Sequence, residues 1–143
     1  MTTERVGAAV VVLRVVAVLH AALTVVQAIA AGAVLQASTA GLIVHQAGAA
    51  ALWLVALAQV AAAVVAWRPG RLPAWPIAVS AGLAVAETAQ VAVGATGVLA
   101  VHVPLGVAIV GTAVTLAAWA LRARPRATPG PRADTLPAAH VPR

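Results

Sequence analysis

Apolar residues run along this chain in four long stretches, separated by short polar or glycine- and proline-bearing segments, with almost no charge inside a stretch. The stretches extend roughly from Gly7 to Leu35, Ala40 to Trp67, Trp75 to Gly94 and Val98 to Leu121. A helix needs about 20 apolar residues to cross a hydrocarbon core of ~30 Å. Each stretch meets that length and predicts a spanning helix. The boundary between the last two follows from length alone. As one helix, Ile77 to Leu121 would reach ~68 Å, about twice a bilayer. It must therefore turn, and Gly94-Ala95-Thr96-Gly97 is the glycine-paired site near its middle. The expected fold is all-α: an integral membrane four-helix bundle over residues 7–122, between a short N-terminal tail at 1–6 and a C-terminal tail at 123–143. The C-terminal tail carries Pro125, Pro129, Pro131, Pro137 and Pro142, cannot sustain a helix or a core, and is expected to be disordered.

Composition narrows this further. Hydrophobic residues make up 63% of the chain and charged residues 8%, against about 45–50% and ~25% in soluble domains. A water-soluble globular domain is excluded. Cysteine is absent, which excludes disulfides, thiol catalysis and thiolate metal sites. The formal charge is +6, and every basic residue is an arginine. Arg5 and Arg14 lie near the start, Arg68 and Arg71 in the second connection, and Arg122, Arg124, Arg126, Arg132 and Arg143 after the fourth stretch. The other two connections carry no charge. Positive loops stay cytoplasmic, so both termini are expected inside, in a bacterial inner membrane. Trp67, Trp75 and Trp119 fall at that same boundary as an aromatic belt, and Arg14 is expected to snorkel towards it. Cleavage as a signal peptide after Ala28-Ile29-Ala30-Ala31 is the competing reading of the first stretch, which is long for that purpose. The tail arginines suit contact with anionic lipid headgroups. They come with no base-reading element, and no nucleic-acid partner is expected.

The two halves of the bundle share a pattern. Gln27 is followed by Gly32, Val34-Leu35, a turn and His45; Gln90 is followed by Gly94, Gly97, Val98-Leu99 and His102. The spacing from glutamine to histidine is 18 residues in the first half and 12 in the second. The pattern predicts a two-helix internal repeat whose pseudo-two-fold axis runs along the membrane normal.

Polar side chains inside spans are costly, face the bundle interior and mark candidate sites. Here they are His20, Thr24, Gln27, His45, Glu87, Gln90 and His102. Helical spacing places His20, Thr24 and Gln27 on one stripe and Glu87, Gln90 and Gly94 on another. His45 and His102 lie at matched depth on the second and fourth helices, which in a bundle with sides of ~8–10 Å are diagonal at roughly 12–14 Å. That gap suits a flat macrocycle whose iron takes an imidazole from each face, so a b-type haem is the expected cofactor. Gly41, Gly48, Ala49 and Gly106 would leave room for the porphyrin. His20, Gln27, Glu87 and Gln90 are then expected around the cofactor, His20 and Glu87 as hydrogen-bonding or proton-relaying groups. His20 is also weighed as a ligand of a second haem, or as a plain hydrogen-bond partner of Gln90 or Glu87. Gln27 and Gln90 are expected as interhelical hydrogen-bonders or as contacts to a cofactor edge. Trp53 is expected to fill core, and His140 in the tail has no assigned role.

The segment Gln90-Val91-Ala92-Val93-Gly94 with His102, and Gln27 through His45 before it, resembles one half of heme A synthase, over about residues 7–122. The chain is also similar to small bacterial four-helix membrane proteins with the same glutamine-then-histidine pairs. In heme A synthase a four-helix unit is duplicated, and histidines on the second and fourth helices of each unit ligate haem. The resemblance implies those roles for His45 and His102 alone. That family has an acid shortly before the ligand histidine and an arginine after it, whereas here Gly41-Leu42-Ile43-Val44 precede His45 and Gln46 follows. The resemblance therefore implies haem binding, not haem oxidation. The expected function is electron transfer or haem handling by a non-enzymatic protein, with a quinone or another redox partner. Two other readings remain: an accessory or scaffold protein in which the histidines are helix–helix glue, and a small proton-coupled transporter using Glu87.

Overall fold

The computed structural model describes residues 3–68 and 70–126 of the chain. It has four helices: α1 (Thr3–Leu35), α2 (Thr39–Trp67), α3 (Trp75–Thr96) and α4 (Leu99–Arg122). All four are long and apolar enough to cross a membrane, which makes this a multi-pass membrane protein by length and composition. Helix α1 packs on α2 and α4, and α3 packs on the same two, so α1 faces α3 across one diagonal and α2 faces α4 across the other. The uncharged α1–α2 and α3–α4 turns lie together at one end of the bundle, here the turn end. The start of α1, the end of α4 and the described part of the α2–α3 loop, with Arg5, Arg14, Arg68, Arg71 and Arg122, lie at the opposite, arginine end.

Local chemistry sets the helix limits. Ser38 caps α2, its hydroxyl accepting from the Gly41 amide at 3.1 Å, which satisfies one of the amides left free at a helix start. Pro76 opens α3 where its missing N–H costs nothing. Gly97 ends α3 with φ 72°, a left-handed conformation that glycine adopts without a Cβ clash. Helix α1 begins at Thr3, a turn before the expected Gly7. The reason is that Glu4 favours the positive N-terminal end of the helix dipole and Val6 is buried in the core.

Arg14 does more than reach for an interface. Its Nε donates to the Ala120 carbonyl at 3.1 Å and its Nη2 to the Ala123 carbonyl at 2.9 Å. The guanidinium thus caps the end of α4, sharing the Ala120 carbonyl with the Ala123 amide, and places a cation at the negative end of that helix. The segment after α4 is not free at its start either. Ala123 is buried, and the Arg126 amide donates to the Arg71 carbonyl at 3.2 Å. Disorder was expected from Ala123 onward; residues 123–126 are instead held against the α2–α3 loop. Residues 127–143, with His140 and the remaining expected tail, lie outside the described residues.

Trp75 and Trp119 meet edge to face at 4.6 Å, and the Arg68 guanidinium lies 4.7 Å from the Trp67 ring, all at the arginine end. Trp53 is 45% exposed on the outer face of α2, which corrects its expected place in the core. The reason is helical phase: Leu52 and Ala56 occupy the inward positions of that turn.

The core is uneven along the bundle axis. Leu13, Ala17, Leu72, Leu83, Ile109, Leu116 and Ala120 pack the arginine end and the middle. Towards the turn end, α1 buries only Ala30 after Thr24, and α2 buries only Gly41 before Leu52. Helix α3 buries nothing beyond Glu87, and α4 nothing before Ile109. Most of the larger apolar side chains there, among them Ile29, Leu35, Ile43, Val91 and Leu99, point outward and are exposed. His45 and His102 stand in this part of the molecule.

Candidate functional site

The site has two layers. In the layer nearer the turns, Gln27 of α1 and His45 of α2 form a reciprocal clasp. Gln27 Nε2 donates to the His45 carbonyl at 3.1 Å, and His45 Nδ1 donates to the Gln27 carbonyl at 3.3 Å. Gln90 of α3 and His102 of α4 repeat it. Gln90 Nε2 donates to the His102 carbonyl at 2.8 Å, and His102 Nδ1 donates to the Gln90 carbonyl at 3.1 Å. A carbonyl can only accept, so Nδ1 carries the proton in both rings. The acceptor position of each imidazole is then Nε2, which no described residue engages.

The unequal spacing of the two halves has a simple geometric basis. In an antiparallel helix pair, residues added to both arms lengthen the turn end without moving the paired positions below it. The six further residues of the first half are shared between the end of α1, the turn and the start of α2. Both clasps therefore keep the same form.

Glycines make the clasps possible. A Cβ on Gly48 would come within 2.6 Å of Gln27 Nε2, and one on Gly106 within 2.9 Å of Gln90 Nε2. These glycines seat the glutamines; the expected spare room for a porphyrin is not what they provide. Gly41 lies against the Ala33 Cβ and the backbone beside it, and brings α1 and α2 together. A Cβ on Gly94 would meet His102 Cε1 at 2.8 Å, so that glycine leaves space for the ring itself.

The clasps bring the two imidazoles together across the α2–α4 diagonal. Their centroids are 6.2 Å apart and their planes are inclined at 72°. An imidazole nitrogen bonds a metal at about 2.0 Å. Two such bonds in line, with each ring centre about 1.1 Å behind its nitrogen, separate the centroids by ~6 Å. The spacing therefore matches a pair of imidazoles sharing one metal on opposite faces. Among the described residues no group of three or more His, Cys, Asp or Glu side chains could hold a metal ion. Two imidazoles are too few for a bare ion held by protein ligands alone, but they are a complete axial set for iron that brings its own equatorial ligands. The buried Oε1 atoms of Gln27 and Gln90 have no hydrogen-bond partner, which leaves two acceptors beside the same thinly packed space.

The second layer lies about two turns deeper and is closed. His20 of α1 contacts Glu87 of α3 through Nε2 and Oε1 at 2.5 Å, across the other diagonal. Its Nδ1 meets Gln59 Oε1 at 3.0 Å, and Gln59 Nε2 donates to Ser80 Oγ at 3.3 Å. His20, Gln59 and Ser80 are at most 1% exposed. Thr24 turns inward on its own helix, donating to the Ala21 carbonyl at 2.8 Å. His20 thus pairs with Glu87 as expected, not with Gln90, and two of its expected roles part ways. With both ring nitrogens engaged by Gln59 and Glu87, it is not placed to ligate a second metal. Gln59 and Ser80 were missed in the sequence. The available signal was phase: Gln59 falls about four turns after His45 on the same stripe, and Ser80 about two turns before Glu87.

No family model, curated protein or solved structure matches the chain.

Proposed function

We propose that this protein binds one b-type haem between His45 and His102 and serves one-electron transfer or haem handling in a bacterial inner membrane. The observation that carries the reading is the 6.2 Å separation of two imidazoles whose Nδ1 protons are already held by backbone carbonyls. An Nδ1–H held in this way fixes the tautomer, orients the ring and makes Nε2 a better ligand. The thin packing at the turn end and the unpartnered amide oxygens of Gln27 and Gln90 support it. So does the resemblance to a half-unit of heme A synthase at His45 and His102.

His45 and His102 would hold the iron from opposite faces. Gln27 and Gln90 would lock their helices in register, and Gly94 would give the His102 ring its position. His20 and Glu87 would close the floor and keep water from the arginine end out. Held by these two residues, haem b would supply one-electron exchange more than oxygen activation. The arginine end would face the cytoplasm, and the site would open towards the outer face, where a quinone or redox protein could exchange electrons.

Titration of the purified protein with haemin tests this. One haem per chain, with a shifted Soret band, is expected for the wild type, and loss of that band for both His45→Ala and His102→Ala. A wild-type spectrum identical to free haemin, or a Soret band retained in both variants, contradicts it. The clasps themselves favour a second reading, a non-enzymatic scaffold protein whose histidines only tie helices together. That reading expects a protein without colour, in which the same variants lower thermal stability and nothing else.

A further inference from the structure

We propose that the buried His20–Glu87 pair is a proton-binding site coupled to the site between His45 and His102, taking up one proton when that site gains one electron. The proposal rests on the haem reading above. Its own basis is the deeper layer, whose hydrogen bonds can be counted. Gln59 Nε2 is committed to Ser80 Oγ, so Gln59 Oε1 is the acceptor for His20 Nδ1–H. The contact between His20 Nε2 and Glu87 Oε1 needs one further proton between two acceptors. With those two protons the pair is neutral overall. Glu87 Oε2 remains, buried and without any partner. It is the open position for one more proton, after which the imidazole is cationic and the carboxyl neutral, both still joined through Oε1.

A purely structural pin would not need that open atom. Glutamine in place of Glu87 would tie α1 to α3 with a neutral hydrogen bond and leave no ionisable group in the membrane. The surroundings leave the pair as the sole titratable group at its level among the described residues. From α1 it is faced by His20 itself, from α2 by Gln59, and from α3 by Ser80, the last two being uncharged. Helix α4 presents no ionisable side chain there; its His102 lies towards the turns and its Arg122 at the arginine end. Arg14, almost two turns along α1, is committed to the Ala120 and Ala123 carbonyls.

Coupling follows from distance. Glu87 is three residues before Gln90, whose carbonyl holds His102, and His20 is seven residues before Gln27. Helical rise puts the two layers on the order of 10 Å apart or less. At that range, in a medium of effective dielectric about 20, a charge added at one layer is felt at the other. The step balances: a one-electron donor such as a quinol or a reduced redox protein gives the electron, water gives the proton, and the charge of the buried region does not change.

The test is a mediated redox titration of the haem-loaded protein at several pH values, with dithionite as reductant. Over the coupled pH range the midpoint of the wild type should fall by up to ~59 mV per pH unit, the one-electron equivalent of a tenfold change. Glu87→Gln, which keeps the hydrogen bond but cannot take the proton, should be flat. A second readout does not depend on any variant: the reduced-minus-oxidised infrared spectrum of the wild type should contain a carboxylic acid C=O band that shifts in heavy water. A Soret band with a pH-independent midpoint and no carboxyl band overturns this proposal alone. An equal slope in Glu87→Gln also overturns it. Absence of any Soret band overturns the haem reading and this proposal together.

Discussion

Gln59 carries more weight than a lone polar residue in an apolar helix suggests. It takes the Nδ1 proton of His20 and gives its own amide proton to Ser80, with all three side chains out of contact with solvent. Replacing it by leucine leaves a buried imidazole N–H and a buried hydroxyl without partners. Each such loss costs about 1–3 kcal/mol. Gln59→Leu is expected to lower thermal stability in detergent visibly while leaving haemin binding at the other layer in place; an unchanged melting temperature would contradict the role given to it. Arg14 allows a second prediction. Charged hydrogen bonds contribute about 1.5–3 kcal/mol each, so Arg14→Gln should destabilise the protein by an amount within that order, read as a lower midpoint in chemical denaturation. The candidate residues His20, Gln27, His45, Glu87, Gln90 and His102 were legible in the sequence because an ionisable or amide group inside a span stands out. Gln59 and Ser80 were not, because each is a single uncharged polar residue in an apolar span, and the stripe that Gln59 shares with His45 and Ser80 with Glu87 does not by itself mark a contact. Only the fold brings them to His20.

At the scale of helices, the limits of the four spans could be read from apolar length and turn residues. The manner of their contact could not. Glycine was expected to make room for a cofactor, whereas Gly48 and Gly106 bring a glutamine amide against a neighbouring helix. This distinction is testable. Gly94→Ala would push the His102 ring, since its Cβ falls 2.8 Å from Cε1, and should weaken haemin binding at least tenfold in a competition assay with apomyoglobin. Gly82→Ala and Gly111→Ala meet nothing within 4 Å. They should bind haemin as the wild type does, with stability unchanged or raised by up to about 1 kcal/mol from helix propensity. Equal affinity in all three variants would show that the ring does not need the space Gly94 leaves.

The whole molecule is divided along its axis. One end has a close-packed apolar core with arginines at its rim, and the other has polar clasps and few buried apolar side chains. Between them lies one sealed polar layer. The division was partly legible, because the arginines mark one end of the helices and Gln27, His45, Gln90 and His102 lie towards the other. The thinning of the core was not, because alanine and valine are abundant along every span and look equally apolar in the packed and unpacked parts. In the proposed topology the arginine-bearing, packed end faces the cytoplasm. A green fluorescent protein fused after Arg143 should therefore fluoresce, and alkaline phosphatase fused at the same place should be inactive; active phosphatase would invert the topology and put the histidine layer on the cytoplasmic side.

Low-temperature electron paramagnetic resonance of the oxidised, haem-loaded protein addresses the pair of imidazoles most directly. Two histidines on one iron with ring planes inclined at 72° predict a low-spin ferric signal alone, with the strong anisotropy of nearly perpendicular axial ligands. A high-spin ferric signal in the fully loaded wild type, or a low-spin signal that persists in both His45→Ala and His102→Ala, would contradict axial ligation by these two residues.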